Sequence, residues 1–182
     1  MLDKLTFVIG GCRSGKSRFA LETALRISAG RRIFVATAVA FDDEMRHRVE
    51  RHRLERGPGW VTVEAPDDLP EAIERHGAAA GGLLLVDSLS MWVSNRLVRG
   101  ADPARVEAEL PRLARALAAA AGPVVAVADE VGLGLVPDTA LGRAFRDLAG
   151  ALNQAVAAAA GRVVLVAAGL PLTLKPSPET GR

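Results

Sequence analysis

The chain has 182 residues, enough for one domain with a sizeable core, and 49% of them are hydrophobic, which excludes a mainly disordered protein. Its 23 basic and 21 acidic residues leave a formal net charge of +2, tyrosine is absent, and Phe and Trp make up 4%. That balance offers neither a polyanion-binding face nor an aromatic platform, so no nucleic-acid partner is expected.

The lone cysteine, Cys12, cannot form an intramolecular disulfide. The N-terminus lacks the basic region, long apolar stretch and cleavage site of a signal peptide. The apolar run from Val163 to Leu174 is interrupted by Gly169 and Pro171 and is too short to span a bilayer. The expectation is a cytoplasmic protein without a membrane span.

In chain order, Leu5 to Ile9 reads as a strand, Gly10 to Gly15 as a turn, and Lys16 to Ala29 as a helix. Arg32 to Ala36 is a second strand. Asp42 to Arg56 is a highly charged helix, stopped by Gly57-Pro58-Gly59. Val61 to Glu64 is a short strand and Pro66 to Ala80 a helix. Leu83 to Val86 is a clear strand ending at Asp87, with Ser88 placed to cap a helix running through Trp92 and Arg96. Pro103 to Ala121 is helical, and Val124 to Ala128 is a strand ending at Asp129-Glu130. A glycine-containing loop, Val131 to Pro137, precedes a long helix from Thr139 to Ala160. Arg162 to Ala168 is a strand, Leu170 to Leu174 a candidate edge strand, and Pro176 to Arg182 a frayed tail.

Strands and helices therefore alternate, and the strands are continuous apolar runs. That pattern predicts an α/β fold of the P-loop NTPase-like kind, with a mostly parallel sheet and helices on both faces. Residues 1–175 form a single nucleotide-binding domain in this reading, followed by the tail at 176–182.

Gly10-Gly11-Cys12-Arg13-Ser14-Gly15-Lys16-Ser17 satisfies G-x-x-x-x-G-K-[ST], with a strand before it and a helix after it. Glycines let successive backbone N–H groups turn inward toward phosphate, and the helix N-terminus adds a favourable field. Lys16 is expected to reach the terminal phosphates and Ser17 to place its hydroxyl on Mg²⁺. Lys16 is one of only three lysines, with Lys4 and Lys175. Cys12 and Ser14 are expected to contribute backbone. For Arg13, phosphate contact and surface charge stand as equal readings.

Magnesium on a triphosphate requires hard oxygen ligands, and an acid at a neighbouring strand end would meet the phosphate loop at the same sheet edge. Asp87 and the pair Asp129-Glu130 satisfy that demand, the competing reading being a solvated strand end or a helix cap. The labour between Asp129 and Glu130 stays undivided. Of three histidines, His47 and His52 lie in the charged segment and His76 in a later helix. Composition favours a solvated face for His47 and His52, although His52, three residues beyond Val49 and seven beyond Met45, is also spaced to border the buried face; His76 reads as a helix-surface or helix-end residue. A histidine near a triphosphate would be a nucleophile at phosphorus, but nothing in the spacing requires that role.

Read together, GGCRSGKSRFAL, VATAVAFDDEMRHRVERHR, GPGWVTVEAPDDL, LLLVDSLSMWVSN, ADEVGLGLVP, GRAFRDLAGALNQAVAAAA and GLPLTLK closely resemble the bifunctional cobinamide kinase/cobinamide-phosphate guanylyltransferase family over residues 5 to 175. The resemblance implies phosphorylation of adenosylcobinamide with ATP or GTP. It further implies transfer of GMP from GTP, through a guanylylated histidine, to adenosylcobinamide phosphate. The family's histidine matches His52, eight residues before Trp60, so the resemblance reverses the surface reading of that residue. The family's strand-end acid falls on Asp87, the metal-side candidates remain Ser17, Asp87 and Glu130, and the resemblance implies a homo-oligomer, with a trimer the expected form.

Two departures stand out. The family's common Asn-Glu-Val-Gly is Asp129-Glu130-Val131-Gly132 here, which adds a charge and removes an amide donor. A cysteine often found after the strand-end acid is Ser88. Arg143, Arg146, Asp147, Gly150 and Asn153 fit a family-like helix pattern that shapes a site, a subunit contact or plain surface packing. Lys175 ends a segment with a possible place near the base. Two other functions are compatible with the loop alone: a small-molecule kinase without a covalent intermediate, and a non-enzymatic nucleotide-dependent interaction module.

Overall fold

The computed structural model describes residues 4–27, 30–39, 43, 47, 50, 53, 54, 56–77 and 82–176. Seven strands form one sheet: β1 (Leu5–Gly10), β2 (Arg31–Ala36), β3 (Trp60–Glu64), β4 (Gly82–Asp87), β5 (Val124–Asp129), β6 (Arg162–Ala167) and β7 (Leu170–Lys175). Their spatial order is β3-β2-β4-β5-β1-β6-β7. Every pairing is parallel except β6 with β7, so the expected mostly parallel sheet is present, with β7 as its antiparallel edge. Five helices are described: α1 (Lys16–Ile27), α2 (Leu69–Gly77), α3 (Leu89–Val98), α4 (Pro103–Ala119) and α5 (Ala140–Ala159).

The continuous apolar strands follow from burial on both faces. Successive side chains point to opposite sides of a strand, and the two cores divide accordingly. Phe7, Val35, Leu84, Val86, Ala126 and Ala128 face a large cluster with Leu69, Ile73, Trp92, Val106, Leu113, Leu117 and Leu152 from α2 to α5. Val8, Phe34, Leu83, Leu85, Val125, Val127 and Val164 face the other way, against Ala20 and Ala24 of α1. The alanines of α1 let that helix lie close to the sheet, which brings its first turn up to the carboxyl edge of β1.

Helix boundaries follow local chemistry. Ser88 caps α3 by accepting from Met91 N at 3.3 Å, as its position predicts. Asp102 and Thr139 cap α4 and α5 in the same way. Pro111 lies inside α4, where a proline removes a hydrogen bond and ordinarily ends a helix. The helix continues because Val106, Leu110, Leu113 and Leu117 form one buried stripe across that point. Helix α2 starts at Leu69, three residues later than the Pro66 to Ala80 that the sequence predicts, and is described as far as Gly77. Residues 78–80 of that expectation lie outside the described residues.

The charged segment is helical at Asp43, His47, Glu50, Arg53, Leu54 and Arg56. Its Arg56 guanidinium lies 3.6 Å from the centroid of Phe34, on the same sheet face as α1. His52 falls outside the described residues, as do Met45 and Val49.

Candidate active site

The phosphate loop leaves β1 at the carboxyl edge of the sheet, the edge where parallel α/β sheets hold ligands. Two features make its turn possible. A Cβ on Gly10 would lie 2.5 Å from both Ser14 Oγ and the Val166 carbonyl oxygen, so only glycine fits there. Gly15 has φ +94° and lies against Gly169, in a backbone region costly for any other residue. Arg13 also has positive φ, at 54°, while its side chain is exposed.

The loop is clasped from two sides. Ser14 N donates to Gly11 O at 3.2 Å, closing the turn on itself. Gly169 N donates to Ser14 O at 2.8 Å from the two-residue turn between β6 and β7. Both residues of that turn, Ala168 and Gly169, have positive φ, as a tight hairpin of matching twist requires. The antiparallel edge strand thus has a structural consequence at the site, because its hairpin turn buttresses the phosphate loop.

Lys16 opens α1 and is buried. Its ammonium lies 2.6 Å from Asp129 Oδ1 and donates to Gly11 O at 3.2 Å. Strand β5 is the hydrogen-bonded neighbour of β1, and Gly10 pairs in register with Asp129. Glu130 N donates to Gly10 O at 3.0 Å, continuing the ladder one residue past the strands. The two adjacent acids therefore diverge. Asp129 faces the lysine, whereas Glu130 accepts from Gly132 N at 2.7 Å through Oε1 and shapes the loop that follows.

Asp87 ends β4, on the other side of β5, and joins Ser88 through a cis peptide bond. Burial lowers the pKa of Arg56, the charge of Asp87 opposes that shift, and Arg53 adds to it. The end of the charged helix therefore sits within electrostatic reach of Asp87. Ser17 follows Lys16 in the first turn of α1 and is half-buried. Cys12 is an exposed free cysteine.

Several residues at this edge were not singled out from sequence. Ser90 donates to Asp129 Oδ2 at 2.6 Å and accepts from Asp129 N at 3.0 Å. Thr37 Oγ1 donates to Ser88 O at 2.7 Å and accepts from Ser88 N at 2.9 Å. Asn95 donates to the carbonyls of Thr37 and Pro66. Thr37, Ser88, Ser90 and Asn95 are all buried, which marks this corner as a satisfied polar network inside an apolar fold. The visible signal was a second serine, Ser90, two residues after Ser88 in an otherwise apolar helix start; only Ser88 was read, as a cap.

Residues of the family-like helix pattern separate by role. Asn153 donates to the Asp129 carbonyl at 3.1 Å and so belongs to the site's support. Arg143 donates to the carbonyls of Pro137 and Asp138 and ties down the loop before α5. Arg146 pairs with its neighbour Asp147. Lys175 donates to Ala157 O and Ala158 O, where a cation meets the carboxyl end of α5. His76, in the last turn of α2, lines a separate acidic crevice with Glu64, Asp67 and Asp68.

Among the described residues no helix is long and apolar enough to cross a membrane. The solved RadB recombinase resembles the fold, with a TM-score of 0.50 at 19% identity over 88% of this chain and 73% of that one. The bifunctional adenosylcobalamin biosynthesis protein CobP of Pseudomonas aeruginosa is 41% identical over 151 residues, 81% of this chain and 83% of its own length. Its counterpart CobU of Escherichia coli is 37% identical over 162 residues, 82% of this chain and 88% of its own length. The family model CobU, described as cobinamide kinase / cobinamide phosphate guanyltransferase, matches residues 6–174. A phosphate loop, a strand-end acid beside its lysine and a family match across nearly the whole chain lead to one conclusion: this protein belongs to the cobinamide kinase/cobinamide phosphate guanyltransferase family.

Proposed function

We propose that the protein carries out both reactions implied by its family, phosphorylating adenosylcobinamide and then transferring GMP to the phosphorylated product. The carrying observation is the buried Lys16, held at the carboxyl edge of the sheet within a chain that the family model matches from residue 6 to 174. In the kinase step the substrate hydroxyl attacks the γ-phosphorus of ATP or GTP. The new O–P bond forms as the bond to the β-phosphate oxygen breaks, and the nucleoside diphosphate leaves. In the second step a nitrogen of His52 attacks the α-phosphorus of GTP and pyrophosphate leaves. A phosphate oxygen of adenosylcobinamide phosphate then attacks that phosphorus, the N–P bond breaks, and adenosylcobinamide-GDP is released with His52 restored.

The backbone of Gly10 to Ser17 cradles phosphate in this reading, with Gly10, Gly11, Cys12, Arg13, Ser14 and Gly15 contributing mainly N–H groups. Lys16 stabilises negative charge on the transferring phosphoryl group. The hard oxygens of Ser17, Asp87 and Glu130 suit Mg²⁺, which favours one or two carboxylates plus substrate phosphates over an all-protein cage. Bound there, Mg²⁺ would neutralise phosphate charge. Among the described residues no three His, Cys, Asp or Glu side chains gather as a metal cage, so nucleotide phosphates would complete the coordination.

Arg56 supports the placement of the charged helix. Its contact with Phe34 and its electrostatic interaction with Asp87 bring the end of that helix to the phosphate edge. A symmetric oligomer, a trimer by resemblance, completes the proposal. Leu133, Leu135 and Val136 after β5, and Leu170, Leu172 and Leu174 along β7, are exposed apolar side chains of the kind that mark interaction surfaces.

Incubation with α-labelled GTP tests the covalent step. We expect label retained after denaturation, lost in His52→Ala, and discharged on addition of adenosylcobinamide phosphate. Kinase turnover without retained label would leave the simpler kinase reading.

A further inference from the structure

Lys16 is engaged in this structure by an anion the protein itself supplies. Its side chain is 10% exposed, and an ammonium so placed requires a partner. That partner is Asp129, at 2.6 Å. A triphosphate entering the loop must compete with this carboxylate for the lysine and must accept its repulsion at short range.

The carboxylate is held in place rather than free to swing. Ser90, 1% exposed, donates to Asp129 Oδ2 and accepts from Asp129 N, gripping side chain and backbone of one residue. A serine hydroxyl has one proton. With that proton on Asp129, the 3.2 Å contact between Ser90 Oγ and Ser88 Oγ uses the Ser88 proton. Ser88 is itself clasped through both backbone groups by Thr37. Asn153 secures the Asp129 carbonyl from α5. The chain Thr37–Ser88–Ser90–Asp129–Lys16 thus joins β2, β4, β5 and β1 across the carboxyl edge.

We propose that Asp129 holds Lys16 in the nucleotide-free protein as an internal competitor for phosphate, and that Ser90 is the positioning residue keeping the carboxylate on the lysine. Nucleotide binding then transfers Lys16 from Asp129 to phosphate. The pairing offsets the lysine's charge and sets nucleotide affinity lower than the loop alone would give. This rests on the proposed role of Lys16 in phosphate binding.

The test measures ATP affinity of the full chain in EDTA for wild type, Asp129→Asn, Ser90→Ala, the double variant and Lys16→Ala. Asparagine keeps an oxygen for the Ser90 proton and removes the charge, and it is the residue common in the resembling family. Asp129→Asn should bind ATP about fivefold more tightly than wild type. Ser90→Ala should tighten binding by a smaller factor and should change nothing when added to Asp129→Asn. A purely structural role would weaken binding in both variants. Asp129→Asn binding no tighter than wild type overturns the competitor role, and Ser90→Ala acting equally in both backgrounds overturns the positioning role. Equal affinity of wild type and Lys16→Ala is a different failure, because it overturns the phosphate role of Lys16 and the inference with it.

Discussion

Two glycine-containing loops leave neighbouring strands at the same sheet edge, Gly10 to Gly15 after β1 and Val131 to Pro137 after β5. The first is closed upon itself: Ser14 and Lys16 are buried, Gly169 clasps Ser14, and Gly10 tolerates no side chain. The second turns its apolar side chains outward, with Leu133 at 87% and Leu135 at 95% exposure. Glu130 at its start and Arg143 at its end hold its two bases, and both use backbone groups of the loop. Similar composition has produced a rigid backbone cradle in one place and a displayed apolar segment in the other. Glycine content therefore says that a loop turns; what surrounds it decides whether it binds with its backbone or its side chains.

The sharpest way to test that contrast is chemical. Lys16→Ala should lower phosphoryl transfer by about 10²–10³-fold, as loss of one preorganised charge-stabilising group does, measured as kcat with cobinamide. Leu135→Ala should leave the intrinsic chemistry of each assembled site unchanged, so an equal loss in both variants would erase the distinction.

A second comparison is thermodynamic. Gly10→Ala forces a Cβ against Ser14 Oγ and Val166 O and should destabilise the fold by about 1–3 kcal/mol in denaturant titration. Leu135→Ala, at an exposed site, should stay within about 0.5 kcal/mol of wild type when both are compared as folded monomers. The outward loop should instead respond in assembly. The double variant Leu133→Ser, Leu135→Ser should lower the sedimenting mass of the protein while its circular dichroism is unchanged. Unaltered mass would remove this loop from the proposed subunit contact.

The smallest effect lies on α2, outside both loops. Glu71 has a pKa below its ordinary value, first through a hydrogen bond with its own backbone N–H and then through Arg112. Its contribution is present above pH about 4.5 and fades as pH falls through the lowered value of the folded state. Glu71→Gln should slightly flatten the acid limb of stability, measured by thermal unfolding across pH, without changing nucleotide affinity. Because both partners of the ion pair are substantially exposed, solvent screening keeps the effect small.

Much of the fold was legible because its signals are local. Apolar runs such as Leu83 to Val86 and Val124 to Ala128 specify buried strands by themselves, and Ser88 and Thr139 announce helix starts through hydrogen bonds to residues three positions away. The turn between β1 and α1 was legible for the same reason, since its glycines, Lys16 and Ser17 lie within eight consecutive residues. Position 52 was not legible from spacing; only the family resemblance raised it above a surface histidine. Tertiary structure decided that Asp129 rather than Glu130 faces Lys16, because that depends on the register of β5 against β1. It also recruited Ser90, Thr37 and Asn153, whose hydrogen bonds span 24 to 51 residues of chain. Sequence alone determined that a G-x-x-x-x-G-K-[ST] loop joins a strand to a helix, and it predicted the mostly parallel sheet that carries it. The fold determined which anion holds the lysine of that loop, because strand order brings β5 beside β1, an adjacency that no local pattern encodes.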